Sequence, residues 1–313
     1  MRTLIYLVAW SGWCRATTSP IGTLRRRYLL ATRFCKKMYE QFYGLKAKPF
    51  AIVPDPRFLY WGGPHGMAFT MLEYGIVSHA GFTVITGEIG SGKTTLIRHL
   101  LSKLSSDINV GLLTGAQGGD LLQWVLMAYG LEFEGRSRVS LYRDFVRFLE
   151  EQNALGKRSV LIIDEAQTLG AEALEELRML SNINSHEREL LQIVLSGQPE
   201  LKRVLALPQM VQFAQRISSD FHLTLLSRDE VVGYIGHRLS EAGATAFIFS
   251  EEACQLIYYV TQGTPRLINT LCDSALVYGF AAGSALVTTE IVQRVLDDKR
   301  RFGVVQLGPS VQA

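Results

Sequence analysis

The chain lacks the patterns typical of disulfide-bonded, zinc-binding and membrane-spanning proteins. Its 313 residues include only four cysteines, and none of them forms a Cys-x-x-Cys pair or another metal-ligand spacing. The six histidines are scattered along the chain. No apolar run reaches the roughly 18–20 residues needed to cross a bilayer. We therefore interpret the cysteines as free thiols and expect no transmembrane segment and no metal site built on cysteine or histidine.

Acidic residues are missing from the first 37 positions. This segment contains eight lysines and arginines, and subtracting its charge of +8 from the +3 of the whole chain leaves −5 for residues 38–313. Its apolar run, Leu4 to Trp10, resembles the core of a signal peptide, but it is short and no clear cleavage site follows. We expect residues 1–37 to be a non-native or disordered basic extension, with Met38 as the natural start. A basic membrane-surface tail and a targeting signal are the alternatives.

The most informative segment is GEIGSGKTT at residues 87–95, which matches the phosphate-loop pattern G-x-x-x-x-G-K-[ST]. A short β-branched run precedes it and apolar residues at helical spacing follow it, as the pattern requires. Its glycines let successive amides face phosphate oxygens, Lys93 supplies a positive charge, and Thr94 supplies a hydroxyl for Mg²⁺. The predicted nucleotide-binding residues are Gly87, Glu88, Ile89, Gly90, Ser91, Gly92, Lys93, Thr94 and Thr95.

A second segment, SVLIIDEAQ at residues 159–167, predicts a buried strand that ends in two carboxylates. Open α/β sheets bind ligands at the carboxyl ends of their strands. Asp164 is predicted to hold Mg²⁺ through water, beside Thr94, and Glu165 to orient and deprotonate the attacking water. A solvated acidic turn after a buried strand would look similar, but the phosphate loop upstream favours the functional interpretation. The two segments together predict ATP and Mg²⁺ as ligands.

Strands and helices alternate in the first two thirds of the chain, which predicts a parallel sheet covered by helices. After Ser227 every periodic segment is helical, which predicts a small helical domain. The predicted units are a basic extension at 1–37, a nucleotide-binding core at 38–226, a helical lid at 227–300 and a flexible tail at 301–313.

The stretch at residues 38–61 is dense in aromatic residues and prolines. Pro49, Pro54 and Pro56 exclude a long helix, and so many apolar rings are too costly to leave in water. We expect this stretch, which we call the strap, to lie ordered and extended against the folded protein.

Four motifs in order, GEIGSGKTT, LIIDEAQ, LSGQPEL and GTPRLIN, follow the strap sequence MYEQFYGLKAKPFAIVPDP. This combination resembles the general secretion pathway A-type (ExeA-like) branch of the AAA+ ATPases, from Met38 to about Arg300. The resemblance implies a P-loop α/β fold, an αβα sandwich with strand order 5-1-4-3-2, followed by a helical lid. It also implies a homo-oligomeric ring or partial ring in which ATP lies between subunits.

The resemblance also implies three residue roles. Gln198 resembles the polar sensor that contacts the γ-phosphate or the attacking water, and Arg266 resembles the second sensor at the start of a lid helix. Arg216 resembles the arginine finger that a subunit offers to its neighbour's ATP. With Glu165, these three are the predicted catalytic residues.

Three functions fit this sequence. We favour a cytoplasmic ATPase, peripheral at the inner membrane, that powers or regulates an envelope assembly system through membrane-associated partners. A DNA-associated ATPase of the transposition-regulator type is less favoured because the chain after residue 37 is mildly acidic. A nucleotide-dependent scaffold is less favoured because a pure binder has no need of Glu165.

Overall fold

A computed structural model describes residues 38–53, 55–115, 119–184 and 189–302. The predicted basic extension, Pro54 and the chain from residue 303 lie outside the described residues. The compact unit described below begins at Tyr39.

Five parallel strands form one sheet with the order β2-β3-β4-β1-β5, which confirms the predicted order 5-1-4-3-2. The central strands are buried along almost their whole length, because helices cover both faces of the sheet and apolar residues therefore suit both faces. The strands are β1 (Phe82–Gly87), β2 (Ile108–Thr114), β3 (Arg158–Asp164), β4 (Leu191–Gly197) and β5 (Ile217–Leu223).

Helices cover the two faces of the sheet and form the lid beyond it. Alternate residues of β3 show the layers: Val160 and Ile162 pack in one buried cluster, and Leu161 and Ile163 pack in the other. The helices are α1 (Tyr39–Phe42), α2 (Gly63–Val77), α3 (Lys93–Lys103), α4 (Leu121–Ala128), α5 (Arg138–Ala154), α6 (Gly170–Leu180), α7 (Pro199–Leu205), α8 (Val211–Ala214), α9 (Arg228–Glu241), α10 (Glu251–Thr261), α11 (Pro265–Ala281) and α12 (Thr289–Phe302).

Two strands show how local sequence sets their bounds and burial. The apolar run at 190–201 is a strand only as far as Gly197, because Pro199 suits the first turn of a helix and begins α7. Along β5, exposed side chains alternate with partly or fully buried ones, as expected for a strand at the edge of the sheet. In the described ranges, no helix combines the length and the apolar character needed to cross a membrane.

The lid begins at a capping box, in which the Ser227 hydroxyl accepts from the Glu230 N–H and the Glu230 carboxylate accepts from the Ser227 N–H. Its four helices enclose a separate buried cluster, and the strap joins that cluster through its own aromatic and apolar side chains. Hydrogen bonds fix the strap to the lid: Tyr43 donates to the Ser284 carbonyl over 2.9 Å, and the Lys46 N–H donates to the Ala242 carbonyl over 2.7 Å. Most of the strap therefore packs with the lid, a grouping that chain order did not indicate, while Leu59 near its end packs in the core cluster.

Candidate functional site

The phosphate loop connects the end of β1 to the start of α3. Gly90 and Gly92 have φ angles of 79° and 108°, in the left-handed region that side chains disfavour. A Cβ atom on Gly87 would lie 2.7 Å from the Leu223 carbonyl oxygen of the neighbouring strand β5. Glycine is therefore required at all three positions, and the loop has the tight geometry that its pattern predicted.

Lys93 lies at the first position of α3, with 6% of its surface exposed. Its ammonium donates across the loop to the carbonyl oxygens of Gly87, over 2.7 Å, and Glu88, over 3.0 Å. Burial lowers the pKa of Lys93, and the negative charges of Glu165, Asp164 and Glu88 oppose that shift. The ammonium is thus held at the mouth of the loop, beside two acidic side chains.

Asp164 ends β3 and is almost fully buried. One carboxylate oxygen accepts from the Thr94 hydroxyl over 2.8 Å, and the other accepts from the Ser196 hydroxyl over 2.7 Å and from the Glu165 N–H over 3.1 Å. Thr94 and Asp164, the predicted metal pair, are therefore in direct contact. A carboxylate beside a hydroxyl oxygen is a donor set that fits Mg²⁺, which prefers oxygen ligands and keeps several waters.

Glu165 follows with a φ of 58°, unusual for a residue with a side chain. Its carboxylate accepts from the side-chain amides of Gln167, over 2.7 Å, and Gln198, over 3.0 Å. Burial alone would raise the pKa of Glu165, but these two donors and the charges of Lys93 and Arg266 outweigh it and lower the pKa below its ordinary value. The group predicted as the base is therefore kept ionised.

Gln167 is a member of this group that the sequence reasoning missed. Its amide oxygen accepts from the Gln198 N–H over 2.9 Å while its amide nitrogen donates to Glu165, so it joins the carboxyl ends of β3 and β4. The only sequence signal was its position two residues after Glu165 in a short 3₁₀ turn. The predicted sensor Gln198 lies where the sequence placed it, at the end of β4.

Arg266 lies in the first turn of the lid helix α11. The backbone N–H of Arg266 donates to the Gly90 carbonyl over 3.3 Å. A Cβ atom on Gly90 would lie 2.7 Å from the Cβ of Arg266. The exposed side chain lines the same cavity as Lys93 and Glu165. The lid therefore touches the phosphate loop and brings a cation to it.

Arg216 is not brought to this site. It precedes β5, where Ile217 pairs with Phe82 at the start of β1, and the phosphate loop begins five residues later. At a rise of about 3.3 Å per residue, the two are about 17 Å apart along the sheet. The guanidinium instead donates to the Ser181 hydroxyl over 2.6 Å. Within one chain, Arg216 lies near the amino ends of the strands, whereas the phosphate loop and Glu165 lie at their carboxyl ends.

A cavity of about 360 Å³ extends from the phosphate loop between the strap and the lid. Its far end is apolar near the strap and polar near the lid, where Arg238 donates to the Tyr234 hydroxyl and this hydroxyl donates to Asn269, each over 2.8 Å. The buried Arg238 guanidinium also lies over the Phe58 ring, 5.1 Å from its centre. This end, which we call the strap–lid end, was not apparent from the sequence.

The arrangement combines a glycine-rich loop at a helix N-terminus, a buried cation, an oxygen pair suited to Mg²⁺ and an ionised carboxylate beside an amide. The strap–lid end of the same cavity adjoins them. These features suit a nucleoside triphosphate and the transfer of its terminal phosphoryl group to water.

Sequence comparison agrees with this chemistry. A protein-family model described as "AAA domain" matches residues 76–205. The chain is 42% identical over 250 residues to General secretion pathway protein A of Aeromonas hydrophila, an alignment that covers 79% of this chain and 46% of that protein. The chain thus spans less than half the length of that curated relative.

Solved structures share the fold at low sequence identity. They include the Aeropyrum pernix ORC2 protein in ADPNP–ADP complexes, 17% identical with a TM-score of 0.61 over 83% of this chain and 75% of that one. Drosophila ORC bound to DNA is 16% identical, with a TM-score of 0.60 over 92% and 70%. CDC6P from Pyrobaculum aerophilum is 14% identical, with a TM-score of 0.58 over 83% and 70%.

Fold and site together define a P-loop protein of the AAA+ class. Within that class, the chain belongs to the general secretion pathway A-type, ExeA-like branch, as its strap and motifs indicated.

Proposed function

We propose that this chain binds ATP with Mg²⁺ and hydrolyses it to ADP and phosphate. The observation that carries the proposal is the group formed by Lys93, Thr94, Asp164 and Glu165, in which a cation, a metal donor pair and an ionised base converge at one edge of the sheet. The loop amides and Lys93 hold the phosphates. Thr94 and Asp164 would hold Mg²⁺, which would neutralise charge on the β- and γ-phosphates.

Hydrolysis then follows from the residues around the terminal phosphate. Glu165 accepts a proton from a water whose oxygen attacks the γ-phosphorus, and the bond to the β-phosphate oxygen breaks to release ADP. Gln198 orients that water from the end of β4. From the lid side, Arg266 stabilises the charge that develops on the transferred phosphoryl group. Arg216 supplies the same kind of charge to the site of a neighbouring subunit, so the active form is a ring or partial ring.

The base of the nucleotide occupies the strap–lid end of the cavity. Ile52, Val53 and Phe58 of the strap provide the apolar surface for a planar ring, and Ile89 extends that surface from the phosphate loop. Since lid and strap pack as one cluster, the bound nucleotide joins that cluster to the core. Hydrolysis would loosen this connection and let the lid move, which is how the reaction would do work on a partner.

The proposed cellular role is supported by one relative's name. A 42% identical relative called General secretion pathway protein A supports a role in driving or regulating an envelope assembly system at the cytoplasmic face of the inner membrane. The likeness to DNA-bound ORC shows the fold alone and adds no support for DNA binding. Neighbouring genes for secretion, pilin or polysaccharide export would support this role, and a neighbouring transposase gene would contradict it.

The enzymatic proposal is tested by phosphate release from ATP. We expect Mg²⁺-dependent steady-state turnover by the parent chain and a loss on the order of 10²-fold or more in Glu165→Gln, which removes the base but keeps the size of the side chain. ATP binding should be retained. Glu172→Gln, an exposed position on α6, is the matched control. Equal turnover by the parent and Glu165→Gln would assign the base to another residue.

A further inference from the structure

A buried histidine lies directly behind the phosphate loop. His65 lies in the first turn of α2, which begins after Gly62 and carries Pro64 in its first turn. Only 4% of His65 is exposed, and its ring also lines the nucleotide cavity. It precedes the loop by more than twenty residues and belongs to no phosphate-loop pattern.

Among the described residues the ring of His65 has one hydrogen-bond partner, and this partner determines its tautomer. Nε2 lies 2.9 Å from the Ser91 carbonyl oxygen. A carbonyl only accepts, so Nε2 carries the proton. Nδ1 is buried and has no hydrogen-bond partner among the described residues. Burial lowers the pKa of His65, although the bond to Ser91 and the charge of Glu230 oppose that shift, and the ring is therefore neutral.

This hydrogen bond orients a peptide group of the loop. The described chain has no cis peptide bond, and in a planar trans peptide the carbonyl and the N–H point in opposite directions. Because the Ser91 carbonyl points at His65, the N–H of Gly92 points away from α2. A phosphate loop binds its ligand through N–H groups that converge on the phosphates. The histidine holds one carbonyl in the outward direction.

The ring also fills the space that the loop leaves. A Cβ atom on Gly92 would lie 3.1 Å from Nε2 of His65, and Gly92 has a φ of 108°. Glycine at this position and an imidazole behind it are complementary. A histidine kept only for packing could be replaced by an apolar residue, which would leave no buried Nδ1 without a partner.

We propose that His65 is a positioning residue for the phosphate site, which fixes the Ser91–Gly92 peptide so that its N–H faces the phosphates. The inference rests on the proposed nucleotide binding and deepens it. His65 acts through the loop and does not itself contact the reacting atoms.

The test separates phosphate binding from nucleoside binding. Dissociation constants for ADP, inorganic pyrophosphate and adenosine are measured on the full chain for the parent, His65→Leu and His65→Gln. The glutamine amide can donate where Nε2 of His65 does, whereas leucine cannot donate at all. We expect His65→Leu to weaken ADP and pyrophosphate binding about tenfold, as for a lost hydrogen bond of about 1.4 kcal/mol, and adenosine binding less than about twofold. His65→Gln should recover most of the loss.

Controls distinguish the possible failures. His99→Leu, a second histidine packed beside α2 against Trp61 and Phe69, should leave pyrophosphate binding unchanged. If Lys93→Ala abolishes pyrophosphate binding and His65→Leu does not weaken it, the role of His65 is wrong and the nucleotide site stands. If Lys93→Ala binds normally, the proposed function itself fails.

Two further outcomes decide the role of His65. Equal weakening of adenosine and pyrophosphate binding by His65→Leu, or no recovery in His65→Gln, would show a general packing role and overturn the inference. Should His65→Leu not fold by thermal unfolding, His65→Asn replaces it. Its amide is too short to reach the Ser91 carbonyl, so the same selective loss is expected.

Discussion

The two ends of the nucleotide site are built by different means. The phosphate end comes from the carboxyl ends of β1, β3 and β4, and it uses backbone amides, charges and carboxylates at fixed spacing. The strap–lid end comes from the strap and from lid helices α9 and α11, and it uses apolar side chains and one polar group around Arg238. Few arrangements of residues can bind phosphates and Mg²⁺, whereas many combinations of side chains can line the space for a planar ring.

The two ends also differ in whether a single chain supplies all of their residues. The strap–lid end is lined within one chain, from the strap on one side and the lid on the other. At the phosphate end, one chain brings Lys93 and Arg266, while Arg216 lies about 17 Å away along the strand direction. The phosphate end therefore depends on assembly if Arg216 acts in a neighbour, and the strap–lid end does not.

The largest expected effect tests this dependence. Arg216→Ala should bind ATP normally but lose turnover on the order of 10³-fold, because an arginine finger acts only on transition-state charge. Turnover per subunit of the parent should rise with protein concentration. The measurement is the ATPase rate of Arg216→Ala mixed with Glu165→Gln in varied ratios, because an intact Glu165 in one subunit and an intact Arg216 in its neighbour should together restore a working site.

Mixtures of Arg216→Ala and Glu165→Gln that stay as inactive as either variant alone would contradict the role in a neighbour. So would a parent rate that stays constant down to a concentration at which the protein is monomeric. Arg203→Ala, which removes an exposed arginine from α7, is the matched control and should keep the turnover of the parent.

A smaller effect tests the strap–lid end. Val53 is 71% exposed and lines the cavity, so a bound base would cover it. Val53→Ser should weaken binding of ATP, ADP and adenosine alike, by about tenfold, because burying a valine contributes about 1.5–3 kcal/mol at most. Pyrophosphate binding should not change. Val139→Ser, at an 81% exposed valine outside the cavity, is the matched control.

The smallest effect concerns the ionisation of the base. The Gln167 amide is one of the groups that hold the pKa of Glu165 below its ordinary value against burial, so Gln167→Leu should raise that pKa. Hydrolysis needs the carboxylate, which is present above the pKa and lost as pH falls through it. The acidic limb of the pH–rate profile should therefore move to higher pH, while Gln209→Leu on an exposed turn should not move it. If the acidic limb does not move, it does not report the ionisation of Glu165.

These contrasts explain what sequence could predict. The loop from Gly87 to Thr95 and the carboxylates Asp164 and Glu165 follow strands at fixed offsets, so local pattern located them. Family resemblance supplied the sensor Gln198. The strand order followed from family resemblance. Gln167, His65 and Arg238 act through contacts between distant segments: His65 bonds a residue 26 positions away, and Arg238 bonds a strap carbonyl 189 positions away. Such contacts have no spacing to detect before the fold is known.

The central claim is that the cavity binds ATP through the phosphate end. Its most direct test is a calorimetric titration of ATP with Mg²⁺ into the parent, Lys93→Ala and the control Lys103→Ala, an exposed lysine at the end of α3. We predict saturable binding to the parent and to Lys103→Ala. Lys93→Ala should lose several kcal/mol, because phosphate charge would be left uncompensated in a partly dry site. Binding to Lys93→Ala as tight as to the parent would contradict the account.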